Sequence, residues 1–379
     1  MSQAAYLSSK PHYEILDGLR GVAALMVIVF HLFEAHSGGN HLDQIINHGY
    51  LAVDFFFMLS GFVIGYAYDD RWDRMDIGTF LKRRLIRLHP MVVMGSIVGA
   101  ALFYFQDAPC FPQIASTPVL ELIAIMLLGC TLLPLPLKWD IRGWTEMHPL
   151  NGPAWTLYYE YIANILYALV IRRFGKRLLW IFVILAACAT TWHLLTAPSG
   201  DIVGGWALNL EQQKNGFIRL LYPFFGGLLL YRMGWIMRRL DHAFLLSSLL
   251  IIIVMSLPRL GGEEHFWMNG LYEAVCIIFV FPVIVSMGAG GKVTGKRPSQ
   301  ICKFLGDISY PIYITHYPMV YVYTAWVSRN NATIAEGAPY MLLVFASAVA
   351  FASACLKFYD IPLRNRLTSR FLKRDAKSK

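Results

Sequence analysis

The chain has 379 residues, of which 56% are hydrophobic and 15% charged, with a mean hydropathy of +0.49. Soluble domains carry about 25% charged residues, so these proportions exclude an ordinary water-soluble protein and fit a chain solvated by lipid, where a charge at mid-bilayer is costly. The net charge of +9 would suggest nucleic acid in a soluble protein. In a membrane chain it follows from Lys and Arg collecting in cytoplasmic loops, and no nucleic-acid partner is expected.

Residues 1–16 are polar and too weakly basic for a signal peptide, so they read as a cytoplasmic N-terminal segment. A spanning helix needs about 20 mostly apolar residues. In chain order the candidates are roughly 17–36, 50–68, 90–106, 153–171, 178–195, 218–235, 243–258, 269–288, 304–327 and 339–358. One more apolar stretch, 119–136, is short and ends in Leu133-Pro134-Leu135-Pro136. Loop charge decides its status. If it does not cross and the N-terminus is inside, 25 basic residues lie on the cytoplasmic side. Five lie outside: Lys138, Arg142, Lys214, Arg259 and Arg329. If it crosses, Arg172, Arg173, Lys176 and Arg177 move outside, against the positive-inside rule.

The fold expected is therefore an all-α integral-membrane bundle of about ten transmembrane helices. It has one re-entrant or interfacial helix and both termini in the cytoplasm. Residues 17–362 form one membrane domain, and 363–379 form a basic cytoplasmic tail suited to anionic lipid. No internal repeat is evident. The six cysteines, Cys110, Cys130, Cys188, Cys276, Cys302 and Cys355, show no C-x-x-C or metal-like spacing. No disulfide framework and no metal site are predicted.

Ionisable residues inside spans are functional candidates by default. The first span holds Asp17, Arg20 and His31, and the second holds Asp54 ahead of Ser60-Gly61. A lone intramembrane His is more often a hydrogen-bonded packing residue than a catalyst, and Ser60-Gly61 reads as a close helix contact rather than a nucleophile. Arg84 and Arg87 stand three apart, so one helical face can carry both. Their planar forks suit phosphate. Glu160 and His316 lie in two later spans, His316 two turns after Tyr310. At 1.5 Å per residue, His31, Glu160 and His316 come out at about 18–21 Å from the cytoplasmic boundary. That common level suggests a His–carboxylate unit in a shared cavity.

Five segments in this order resemble the membrane acyltransferase-3 family: Leu16-Asp17-Gly18-Leu19-Arg20-Gly21 with His31; Asp54-Phe55-Phe56-Phe57-Met58-Leu59-Ser60-Gly61; Arg84-x-x-Arg87 before Pro90; Trp155-Thr156-Leu157-Tyr158-Tyr159-Glu160; and Ser309-Tyr310-Pro311-Ile312-Tyr313-Ile314-Thr315-His316. Thr156 stands where serine is usual. The resemblance covers about residues 14–327. It implies a ten-helix bundle in the bacterial inner membrane and an acyl-CoA donor from the cytoplasm, acetyl-CoA being the commonest. The acceptor it implies is a hydroxyl, on a glycan or lipid-linked saccharide first and on a small molecule such as a macrolide second.

On this resemblance His31 is the general base and Glu160 the carboxylate that orients it. Arg20, Arg84 and Arg87 hold the donor phosphates, and Asp17, Asp54, Tyr310 and His316 support the site or the acceptor. A transporter would share the ten spans but would more naturally show paired halves or broken helices. The acyl length, the acceptor and the oligomeric state are not encoded in these motifs.

Overall fold

The computed structural model describes residues 10, 13–238, 240–293 and 295–372. Most of the segment 1–16 and the end of the tail, 373–379, lie outside the described residues. Among the described residues all regular structure is helical, with one isolated bridge between Ala108 and Phe111. The helices are α1 (Glu14–Ser37), α2 (Ala52–Tyr68), α3 (Ile77–Leu102), α4 (Val119–Gly129), α5 (Ala154–Leu169), α6 (Lys176–Thr196) and α7 (Leu210–Met233). They continue with α8 (Ala243–Ser256), α9 (Phe266–Val275), α10 (Phe281–Gly290), α11 (Lys296–Thr315), α12 (Tyr317–Asn330), α13 (Ile334–Cys355) and α14 (Ile361–Phe371). Single π turns, Cys276–Val280 and Leu356–Asp360, join α9 to α10 and α13 to α14.

Six helical stretches are long and apolar enough to cross a membrane: Glu14–Ser37, Gly49–Tyr68, Ile77–Gln106, Lys176–Thr196, Phe266–Gly290 and Ile334–Phe371. Large apolar side chains point outward, Leu120 at 79% and Phe358 at 73% exposed. A water-soluble surface avoids such a belt, and a lipid-facing one requires it. The chain is a multi-pass helical membrane protein.

Two helix boundaries differ from the sequence expectation for physical reasons. Pro90 does not open the third span but lies inside α3, which starts at Ile77 because the Asp76 side chain caps the Thr79 amide at 2.6 Å. The nearby carbonyls of Leu88 and Pro90 take donors from Tyr310 and Tyr359, in the way membrane helices accommodate proline. The ninth span is broken. α11 ends at Thr315, His316 is the joint, and Pro318 sits in the first turn of α12. The tail expected from 363 onward is helical through Phe371.

α4 has eleven residues, about 16 Å of helix, short of the roughly 30 Å hydrocarbon core. It is one of two shorter apolar helices, with α8, outside the six stretches long enough to cross. The segment after it folds back into the bundle, and Asn151 donates to the Ile314 carbonyl at 2.9 Å.

The tightest pairings are α2 on α7 and α1 on α11. The first depends on absent side chains. A Cβ at Gly61 would overlap the Phe224 carbonyl oxygen, and one at Gly227 would overlap that of Met58. Both contacts are with backbone, which cannot rotate away. Gly61→Val should therefore cost at least the roughly 1–3 kcal/mol of an overpacked core, read as a lower midpoint in thermal unfolding in detergent. An unchanged midpoint would mean that α2 and α7 separate at no cost.

Candidate active site

The ends of α1 and α12 surround a cavity of about 800 Å³ at the end of the bundle away from both termini of the described chain. Phe30, Tyr50, Trp155, Trp206, Tyr313 and Tyr317 are among the residues that line it, and His31, Glu34 and Glu146 supply ionisable groups. His31 and Glu34 are one helical turn apart on α1. The His31 Nδ1 donates to Glu34 Oε2 at 2.7 Å, which leaves Nε2 as the acceptor nitrogen of the neutral ring. Among the described residues nothing hydrogen-bonds that Nε2. The His31 ring stacks on His316, centroids 5.8 Å apart, and packs edge-on against Tyr317 at 4.6 Å. His316 is fully buried, its Nδ1 3.0 Å from the Ile312 and Tyr313 carbonyls and its Nε2 without a partner.

Glu160 is not at this level, which corrects the depth argument. α5 begins already beside His316, because Asn151 is tied to the Ile314 carbonyl. Six residues along α5 carry Glu160 about 9 Å further toward the termini. There its Oε1 accepts from Arg84 at 2.7 Å and from Ser60 at 2.7 Å. Glu160 makes no hydrogen bond to His31. The carboxylate bonded to His31 is Glu34, which lies inside the 17–36 span but was not among the candidates named from the sequence. Its signal in the sequence is the His31-x-x-Glu34 spacing, since residues three apart on a helix face each other.

Asp54 stands in a supporting place rather than an acceptor-facing one. It does not line the cavity but is fully buried against Arg219, Oδ2 to Nη2 at 2.8 Å. Arg219 further donates to the Tyr50 carbonyl at 2.7 Å and lies 5.2 Å from the Trp155 ring centre. Asp54 and Arg219 are thus a neutral pair that braces the cavity wall. Arg142, counted from sequence as an outer charge, is fully buried as well. It donates to Gln106 at 2.7 Å and to the Pro149 carbonyl, and stacks 3.5 Å from the Tyr321 ring centre. Glu146, 3.7 Å from Arg142, accepts from the Tyr321 hydroxyl at 2.6 and 2.7 Å. Burial pushes the Glu146 carboxyl up to about 7, against the pull of Arg142. No sequence motif marked Arg142, Glu146 or Arg219, because polar loops and span ends look alike whether they dip inward or not.

At the other end, Arg20 pairs with Asp17 at 3.1 Å and Arg84 with Glu160. Arg87 is exposed and shares Asp17 and Asp360 with its neighbours rather than holding a carboxylate in direct contact. Its charged neighbours are Arg364, Arg20, Arg84 and Asp17. The arginines expected from sequence therefore do converge, although Arg84 is already engaged by Glu160. Tyr310, whose hydroxyl donates to the Leu88 carbonyl, sits at the arginine end. Tyr313, bonded to Thr156 at 2.9 Å, is one turn further along α11, and His316 one turn beyond that. These three residues lie in succession along α11 from the arginine end toward the cavity, which Tyr313 lines. No cluster of three or more His, Cys, Asp or Glu able to hold a metal occurs among the described residues.

Fold and site define a helical membrane protein with a histidine–carboxylate pair facing an internal cavity. The chain belongs to the acyltransferase-3 family, whose model, described as an acyltransferase domain, matches residues 13–356. It is similar to "O-acetyltransferase OatA" of Staphylococcus aureus, 23% identical over 93% of this chain and 57% of that protein. It is similar to "Protein 2 in picA locus" of Rhizobium radiobacter, 34% identical over 45% of this chain and 86% of that protein. "Acyltransferase MdmB" of Streptomyces mycarofaciens is 28% identical over 44% of this chain and 41% of that protein. The chain thus spans little more than half of OatA's length. No solved structure matches.

Proposed function

We propose that the protein is an O-acyltransferase of the bacterial inner membrane that moves an acyl group, acetyl first, from cytoplasmic acyl-CoA to a hydroxyl of a glycan or lipid-linked saccharide. The observation that carries this is His31, held by Glu34 with Nε2 free in an aromatic-walled cavity. The likeness to a protein named as an O-acetyltransferase supports the hydroxyl acceptor. Ten crossings with both termini cytoplasmic accommodate the helices if α9–α10, α11–α12 and α13–α14 each count as one and α4 as none. This places the arginines at the cytoplasmic face and the cavity in the outer half.

The donor phosphates then lie at Arg87, Arg20 and Arg84, and the thioester reaches the cavity along Tyr310 and Tyr313. His31 Nε2 takes the proton of the acceptor hydroxyl as its oxygen attacks the thioester carbonyl. Glu34 stabilises the imidazolium that forms. The C–S bond breaks, an ester C–O bond forms, and the imidazolium returns the proton to the departing thiolate. The products are free CoA thiol and acylated acceptor. No external base is consumed.

The test is release of free CoA from acetyl-CoA by purified protein in nanodiscs, with saccharide acceptors added in turn. Arg87→Ala should raise the donor KM about tenfold or more and leave the acceptor KM within twofold. The reverse pattern would place the donor elsewhere.

A further inference from the structure

Arg364 stands outside every motif of the sequence and outside the matched residues 13–356. By sequence it is one of seven basic residues in 364–379, read as topological charge. The structure puts it somewhere more specific. The π turn Leu356–Asp360 leads into α14, and the Tyr359 hydroxyl donates to the Pro90 carbonyl at 3.1 Å. α14 then lies along the first half of α3, Leu363 and Leu367 facing Leu85, Ile86 and His89 across a groove. Arg364 Nη1 donates to Asp360 Oδ2 at 2.8 Å, with the Asp360 side chain 1% exposed and that of Arg364 27% exposed.

The packing of α14 on α3 sets Arg364 beside Arg87, whose other cationic neighbours are Arg20 and Arg84, so guanidinium groups from three helices act on one another. Three have a carboxylate in direct contact, Asp17, Glu160 and Asp360, while Arg87 shares Asp17 and Asp360 at longer range and leaves the group one positive charge in excess. Like charges gathered at one partly buried site repel, and an added anion relieves this. A ligand with several phosphates fits better than a single anion, because the arginines approach from separate helices and each offers a planar fork.

We infer that Arg364 is a fourth donor-binding arginine, supplied by the C-terminal helix to a phosphate group of the acyl-CoA. This rests on the proposed acyl-CoA donor. Arg364 is a binding residue and takes no part in proton transfer.

The experiment measures equilibrium binding of CoA and of 3′-dephospho-CoA to protein in nanodiscs, with no acceptor and no turnover. Arg364→Ala should weaken CoA binding about tenfold, with Arg364→Lys intermediate. Arg366→Ala, which removes the same charge from the exposed face of the same helix, should bind as wild type. If the loss disappears with 3′-dephospho-CoA, Arg364 holds the 3′-phosphate; if it persists, Arg364 holds the pyrophosphate. Arg364→Ala strands the buried Asp360 carboxylate, so the double variant Asp360→Asn/Arg364→Gln is measured beside it and should show the same loss. Equal binding by wild type, Arg364→Ala and the double variant would overturn the inference and leave Arg364 as the counter-ion of Asp360. An equal loss in Arg366→Ala would overturn it too, because tail charge in general would then be the cause. Failure of wild type to bind CoA would overturn the acyl-CoA reading itself.

Discussion

His31→Ala should reduce acceptor-dependent CoA release about 10²–10⁴-fold, the range of a positioned general base, with CoA binding and folded yield unchanged. Binding should survive because the arginines that face the donor lie about 16 Å along α1 from His31, counting eleven residues from Arg20. Folding should survive because the His31 side chain is 17% exposed, lines an existing cavity and leaves Glu34 27% exposed to it. Turnover preserved in His31→Ala would remove the histidine from the mechanism.

Two companion substitutions separate the carboxylates. Glu34→Gln keeps a hydrogen bond to Nδ1 but removes the charge that stabilises the imidazolium, and an amide can also present its NH2 and favour the wrong tautomer. It should lower kcat with little change in donor KM. Glu160→Gln loosens Arg84 and Ser60 and should move donor KM instead. A kcat loss confined to Glu160→Gln would restore Glu160 as the partner of His31.

Asp54→Ala should be the most destabilising single change in the helix pair α2–α7, about 3–5 kcal/mol. It leaves the Arg219 guanidinium, 2% exposed, without its counter-charge in a low-dielectric interior. That is a large fraction of the 5–15 kcal/mol by which domains are stable, so the yield of monodisperse protein should fall sharply. The double variant Asp54→Ala/Arg219→Met removes both charges and should recover much of the stability. Its activity should stay low, because Arg219 also ties the Tyr50 carbonyl and flanks Trp155 in the cavity wall. Equal midpoints for wild type and Asp54→Ala would show that the pair contributes nothing to stability.

Much of this protein was legible without coordinates. The lipid-solvated helical class follows from composition, because few charges and long apolar runs leave no other way to satisfy the backbone. The shortness of α4 was signalled by the Leu-Pro-Leu-Pro that closes its apolar stretch. The arginine cluster was visible as Arg84-x-x-Arg87, since its two members share one helical face.

The tertiary structure alone decided which carboxylate serves which partner. Depth counted along a straight helix assumes that every span starts at one level, and α5 starts beside His316, where Asn151 ties it to Ile314. Glu160 consequently belongs to Arg84, and His31 is left to Glu34 on its own helix. Arg142 and Arg219 look like loop and boundary charges in sequence because hydropathy records how polar a residue is. It does not record whether the chain folds inward to meet a partner. Arg364 is the same case at the other end. Seven basic residues in a row of sequence read as one charge, and only the packing of α14 on α3 singles out the one that faces the arginines.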